Sequence, residues 1–294
     1  MKKNYLLALL TVSIWSTLAT ITKILLNDIP NLEALAISSF FAFLFLLLIN
    51  IRNSSLKEMK RFSVKDYAVM SGLGFLGLFV YSALYYYGLT QLTSQEACIL
   101  NYLWPIMLVV FSSILLGEKL TVVKSVAMLS SFVGIVVLST GSGTVSSGNA
   151  TLGMIACIVA AACYGLFSVL NKKVDYNPNL SMMIMWLTVA ICSLILGLIT
   201  ESWVEIEGLQ WVGLIWLGAI VDALAYLLWA VALKGEADSS KIANLAYLTP
   251  FLSIIVSAVV LQEKITVRAF VALLFIIGGI LFPALLGLIN KPKK

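Results

Sequence analysis

Histidine is absent from all 294 residues of this chain, and charge is scarce, with Asp, Glu, Lys and Arg making up 11%. Without histidine, Ser-His-Asp and Cys-His nucleophilic centres and HExxH zinc sites are excluded. Cys98, Cys157, Cys163 and Cys192 all sit inside apolar runs and show neither metal-ligand spacing nor a disulfide framework, so they read as small hydrophobes. No metal and no cofactor is expected. A long polar stretch is missing as well. The longest connection between apolar runs, INIRNSSLKEMKRFSVKD, is too short for a soluble domain, so any chemistry must lie between helices.

Apolar residues are what the chain has in excess: they make up 61% of it, and the mean hydropathy is +1.03. They fall in blocks of about 20, the length that crosses roughly 30 Å of hydrocarbon. The pattern predicts an all-α membrane protein of ten helices, at about 5–26, 33–51, 67–88, 94–116, 122–140, 151–172, 180–200, 210–233, 239–261 and 267–289. The first block follows Lys2 and Lys3 as a signal peptide would. Its run is long, however, and no small-x-small cleavage site follows ITKILLNDIP, so it reads as the first helix.

Orientation follows from the Lys and Arg bias toward the cytoplasmic side. With the N-terminus inside, every Lys and Arg except Lys23, Lys264 and Arg268 falls on the inside face. Both termini are therefore expected in the cytoplasm of a multi-pass cell-membrane protein. The net charge of +5 is mostly an orientation signal, and no nucleic-acid partner is needed to explain it.

The chain is written twice. Aligning Pro105 with Pro250 places NYLWPIMLVVFSSILLGEKLTV on NLAYLTPFLSIIVSAVVLQEKITV, and Glu118, Lys119, Thr121 and Val122 meet Glu263, Lys264, Thr266 and Val267. Tyr102, Leu103, Ser112, Ala127, Gly134 and Ile135 also meet identical residues. Nearer the start of each half, IWSTLATITK lines up with CYGLFSVLNK, pairing Trp15 with Tyr164 and Lys23 with Lys172. Five helices per copy is an odd number, so the second copy enters the membrane from the opposite side. The expected architecture is two inverted five-helix repeats around a central cavity: residues 1–141 and 151–294, joined by an extracytoplasmic linker at 142–150.

Three features together resemble the drug/metabolite transporter superfamily, EamA branch: the duplicated five helices, the Trp15-Ser16 pair in helix 1, and the Pro-x(12)-Glu-Lys ending of helices 4 and 9. The resemblance covers essentially the whole chain. NYLWP together with FVYSALYYYGL looks like the YddG-type exporters of aromatic amino acids. The resemblance implies that Tyr81, Tyr102 and Trp104 line the central cavity, with Tyr164 where such proteins tend to carry a Trp on helix 6. Ser82 replaces the histidine associated with the helix 3 pattern.

Helical spacing gives an independent reading of the cavity, because residues three and four apart share a face. Helix 3 carries Gly74, Gly77, Tyr81, Tyr85 and Gly88, and helix 8 carries Gly218, Asp222, Tyr226 and Trp229. Helix 4 adds Asn101 and Trp104, helix 9 Asn244 and Tyr247, helix 6 Tyr164, Ser168 and Asn171, and helix 1 Thr11, Trp15 and Thr22. The cavity is expected between helices 1, 3, 4, 6, 8 and 9. Its expected binding residues are Trp15, Tyr81, Tyr85, Asn101, Tyr102, Trp104, Tyr164, Asp222, Tyr226, Trp229, Asn244 and Tyr247. Packing between helices is the alternative for each ring, whereas Tyr5, Trp203 and Trp211, close to helix ends, read as interfacial anchors. The glycines read as close helix contacts.

Asp222 falls near the centre of helix 8, where an ionisable group costs about 2.5 to 3.5 kcal/mol to insert. Three roles stay open for it: ligand for a substrate ammonium, proton carrier, or neutral hydrogen-bonding partner of nearby Tyr or Asn. Glu96 reads as a group at a helix N-terminus, and Glu118-Lys119 and Glu263-Lys264 as structural helix-end charges. Pro105 and Pro250 form a repeat-related pair of hinges in helices 4 and 9.

Together these readings describe a secondary transporter rather than an enzyme, since no paired carboxylate or activated nucleophile is found at one depth. The expected activity is export of small metabolites, foremost aromatic or apolar amino acids, by alternating access, with the bilayer as surroundings and a monomer as the working unit. A broad-specificity drug, nucleoside or metabolite transporter, and beyond it a channel or lipid flippase, remain the alternatives.

Overall fold

The computed structural model describes residues 2–117, 119, 121–139, 149–234 and 244–289. All regular structure among them is helical. Among the described residues, seven helices are long and apolar enough to cross a membrane: α1 (Lys3–Leu25), α2 (Asn31–Arg52), α3 (Val64–Gln91), α4 (Ser94–Leu116), α6 (Ala150–Asn171), α7 (Pro178–Thr200) and α8 (Gly208–Leu233). Three further apolar helices are described, α5 (Val122–Ser139), α9 (Leu245–Val260) and α10 (Val267–Ile289). Glu118, Lys241 and the 142–148 part of the expected linker lie outside the described residues. The end of the bundle where α1 begins is called the near end below, and the opposite end the far end.

The packing repeats between the halves. α1 packs on α8 and α6 on α3, while α2 pairs with α7 and α5 with α10. Two glycines allow the closest approaches to the backbone of a neighbouring helix. A Cβ on Gly218 would lie 1.9 Å from the Ser38 carbonyl oxygen of α2, and one on Gly74 would lie 2.7 Å from the Met185 Cα of α7. α3 therefore meets α7 as α8 meets α2, through a position only hydrogen can fill.

The α2–α7 seam is tied at both ends. At the far end the Glu201 carboxylate accepts from the backbone amides of Leu32 (3.1 and 3.0 Å) and Glu33 (3.2 Å), and Glu33 accepts from the Val204 amide at 3.0 Å. Glu201 thereby satisfies amides that the first turn of α2 leaves without intrahelical partners. At the near end the Asn177 amide donates to Glu58, and the Tyr176 hydroxyl donates to Asp66 at 2.9 Å. At this same end the Asn50 side chain of α2 donates to the Asn179 carbonyl of α7 at 3.1 Å.

Other helices are interrupted. α4 breaks at Tyr102 and Leu103, immediately before Trp104-Pro105, and α9 starts as a 3-10 turn (Asn244–Leu248) immediately before Thr249-Pro250. Leu103 and Leu248 are repeat partners, so both breaks fall at one position of the repeat. Proline explains them, because it cannot donate to the preceding turn. α1 is also interrupted, between Trp15 and Leu18. π-helical segments occupy Phe75–Val80 of α3 and Trp216–Leu224 of α8. Sequence periodicity gave no sign of these wider turns, because both stretches read as continuous apolar helix.

Candidate functional site

The helix breaks and π segments surround one cavity of about 380 Å³. Five of the lining rings lie next to these irregularities. Trp15 ends the first piece of α1, Tyr81 follows the π segment of α3, Tyr102 and Trp104 flank the break in α4, and Tyr226 follows the π segment of α8. Tyr85, Tyr164, Trp229 and Tyr247 complete the aromatic wall, and Asn101, Cys98, Thr249 and Ser253 supply polar or polarizable edges. Among the described residues no charged side chain lines this space.

Seven of the rings form one connected network, Tyr102 and Tyr247 standing beside it. Trp15 meets Tyr226 at 5.1 Å between centroids and Trp229 at 5.3 Å, while Tyr164 meets Tyr81 at 5.0 Å and Trp104 at 5.3 Å. The Tyr164 and Tyr226 hydroxyls join the two groups at 3.2 Å. Trp15 and Tyr164 are repeat partners, and so are Tyr81 and Tyr226. The contacts Trp15–Tyr226 and Tyr164–Tyr81 are therefore the same contact made once by each half. Tilted and edge arrangements at these separations are the favourable ones for aromatic pairs.

Three polar atoms on this wall are buried without a partner, the Thr249 hydroxyl being one of them. Asn101 donates to the Tyr81 hydroxyl at 3.1 Å, which leaves its Oδ1 unpaired, and Trp15 Nε1 is also unpaired. Buried polar groups are ordinarily satisfied, so an unpaired donor and acceptor on a cavity wall suit a bound solute or water. Tyr102 reaches across to the Ala246 carbonyl at 3.4 Å, joining α4 to α9.

Asp222 stands apart from the other sequence-derived residues. It lies in the π segment of α8, half-buried and one turn before Tyr226, and it is not among the residues lining the cavity. It makes no hydrogen bond among the described residues, and its neighbours include Tyr81, Tyr86, Tyr164 and Tyr226. The Asn244 side chain lies outside those described. Pro105 touches the cavity, whereas Pro250 is buried behind it in α9.

Several lining residues had no sequence signal. Leu18, Ala19, Ala246 and Thr249 enter because α1 and α9 are broken beside them. Thr249 was in principle legible as the repeat partner of Trp104. Two helix-end charges have local partners. Glu96 closes a capping box with Thr93, accepting from its amide at 3.1 Å, and the Lys23 ammonium donates to the carbonyls of Leu89 and Leu92 at the end of α3.

A family model described as the EamA-like transporter family matches residues 2–140 and again 151–284, one match to each half. The chain belongs to the EamA-like transporter family. Among its relatives, an uncharacterized transporter of Archaeoglobus fulgidus is 29% identical over 280 residues, 90% of this chain and 93% of the relative. The aromatic amino acid exporter YddG of Ancylobacter novellus is 27% identical over 218 residues, 74% of this chain and 75% of that one. The uncharacterized transporter YvbV of Bacillus subtilis is 28% identical over 202 residues, and the chain spans 64% of its length. A solved crystal structure covers 99% of this chain, and is itself covered completely, with a TM-score of 0.69 at 22% identity, which places the two in one fold. Membership of the EamA-like family makes this chain a membrane-embedded transporter of small molecules.

Proposed function

We propose that this transporter exports amino acids with aromatic or apolar side chains by alternating access. In this reading α1 to α10 all cross the membrane as two inverted repeats, 1–141 and 151–294, with the linker outside and both termini cytoplasmic. The near end is then the cytoplasmic end. The carrying observation is the cavity: a connected aromatic wall with unpaired Asn101 Oδ1 and Trp15 Nε1 and no charged lining group among the described residues. Such a wall favours a ring by stacking and an ammonium by cation–π attraction. A zwitterion carries no net charge, so a lining without a fixed counter-ion suits it.

The size supports a solute of this kind. A cavity of about 380 Å³ lies at the small end of the range of about 300–1,000 Å³ usual for small-molecule pockets. That suits one ring-bearing metabolite better than a lipid. Tyr85, Tyr102, Trp104, Tyr164, Trp229 and Tyr247 hold the side chain in this account, and Pro105 and Pro250 let α4 and α9 bend. Asp222, behind Tyr226, acts on the ammonium or carries a proton. The charge-free lining equally favours neutral ring-bearing drugs or nucleosides as a second reading.

Thermal unfolding of the purified protein separates the two. Tryptophan and phenylalanine should raise the midpoint in a saturable way, by the amount that RT ln(1 + [L]/Kd) requires, about 2.7 kcal/mol at one hundred times Kd. Stabilisation by nucleosides or drug-like amines, with none by the amino acids, selects the second reading and removes the first.

A further inference from the structure

The Glu-Lys ending of α9 is the one prominent sequence motif that the cavity leaves unused, and Glu263 sits at the far end, between the halves. The first turn of a helix leaves amides without intrahelical partners. In α4 these amides are satisfied from two sources. The Glu96 amide donates to the Thr93 hydroxyl at 3.2 Å, within α4 itself. The Ser94 and Gln95 amides instead donate to the Glu263 carboxylate, at 2.8 and 3.2 Å. The Ser94 hydroxyl adds a third bond at 3.2 Å, and the Gln95 side chain donates to the Glu263 carbonyl at 3.3 Å.

Directly below, toward the cavity, the Ser94 hydroxyl bonds the Ser257 hydroxyl of α9, which in turn meets the Thr20 hydroxyl of α1 at 3.0 Å. Thr20, Ser94, Gln95 and Ser257 are all buried, none more than 3% exposed. Polar groups of α1, α4 and α9 thus close the far end above Cys98 and Asn101, which line the cavity on the next turns of α4. The bonds of this layer join hydroxyl, amide and carboxylate groups, which water can satisfy in their place.

We propose that Glu263 is a positioning residue that holds the start of α4 against α9 and α1, and so sets the balance between the far-closed and far-open forms of the transporter. Opening the far end separates α4 from α9 and hands the Ser94 and Gln95 amides to water. A carboxylate at a helix N-terminus makes charge-assisted bonds aligned with the helix dipole, and a neutral amide in its place makes weaker ones. Removing the charge therefore shifts population toward the far-open form without touching the aromatic wall. This rests on the alternating-access reading and is independent of which solute is carried.

Native Cys98 reports the gate. With Cys157, Cys163 and Cys192 replaced by Ala, a membrane-impermeant maleimide is applied to each face of sealed vesicles in turn, with no substrate present. Glu263→Gln should raise the rate of Cys98 labelling from the far face about tenfold, as loss of charge-assisted bonds implies for a population shift. Glu263→Asp should fall between it and the unmodified chain. Ser257→Ala, which removes the layer below without altering charge, should also raise the far-face rate and decides the matter if Glu263→Gln does not fold. A folded Glu263→Gln protein with an unchanged far-face rate overturns the proposal, as does an unchanged rate in Ser257→Ala when that variant must decide. Because no solute enters the assay, failure of the amino-acid reading leaves this outcome standing.

Discussion

The α2–α7 pair and the α4–α9 pair occupy corresponding places in the two halves, yet they are built in opposite ways. α2 and α7 run unbroken, with Gly218 and Gly74 admitting α8 and α3 against them, and side chains of the partner half tie both ends. α4 and α9 are both interrupted beside a proline, and the described hydrogen bonds between them are the Glu263 bonds, Ser94–Ser257 and Tyr102–Ala246. A seam with no spare volume resists displacement, because overpacking it forces backbone shifts. A broken helix held by exchangeable hydrogen bonds can move while keeping its core. The fold places its rigidity in one pair and its adaptability in the other, with the aromatic cavity against the adaptable pair.

Substitutions can break this contrast, and the largest effect should come from the rigid seam. Gly218→Ala puts a methyl 1.9 Å from the Ser38 carbonyl, which costs at least the 1–3 kcal/mol or so typical of overpacking. Gly72→Ala, where an added Cβ meets nothing within 4 Å, should leave yield unchanged. Size-exclusion profiles and folded yield of the two variants check this. Equal yields would mean that the seam is not rigid.

Trp104→Ala should come next. It removes a ring from the break in α4 and leaves the α2–α7 seam untouched, so transport of an aromatic solute should fall tenfold or so, equivalent to about 1.4 kcal/mol, with folded yield retained. Parallel loss of yield and flux would make Trp104 a packing residue.

Asp222→Asn keeps the size and removes the charge. If the charge serves transport, flux drops or loses its dependence on a pH gradient while the protein still folds. Proton movement that accompanies substrate in the unmodified protein marks a carrier, and weaker substrate affinity without proton movement marks an ammonium ligand. Unchanged flux, affinity and pH dependence would leave Asp222 as a structural group. The smallest effect belongs to Pro105→Ala, which restores one amide donor at the break. It should slow exchange between access states several-fold while the thermal midpoint stays the same or rises.

Much of this was legible in the residues, because the evidence for it is periodic. Apolar blocks of membrane length marked the helices, and the self-alignment marked the repeat that the two family matches at 2–140 and 151–284 follow. The 3–4 stripes named Trp15, Tyr81, Tyr164 and Tyr226, which the structure gathers around one space. What the sequence hid depends on departures from periodicity. A π segment such as Trp216–Leu224 rotates every later residue of α8 relative to an ideal helix, and the lining includes Tyr226 and Trp229 but not Asp222. The capping of α4 by Glu263 joins residues 169 positions apart, and no local spacing signals it.

Counterflow in proteoliposomes tests the central claim, that the aromatic cavity between the repeats carries amino acids with ring or apolar side chains. Vesicles preloaded with unlabelled tryptophan should accumulate labelled tryptophan transiently and saturably. Phenylalanine should compete, nucleosides should not, and Tyr164→Ala, made in the ring that joins the two aromatic groups, should abolish the accumulation while the protein still reconstitutes. Accumulation that is absent, does not saturate, or persists unchanged in folded Tyr164→Ala would contradict the account.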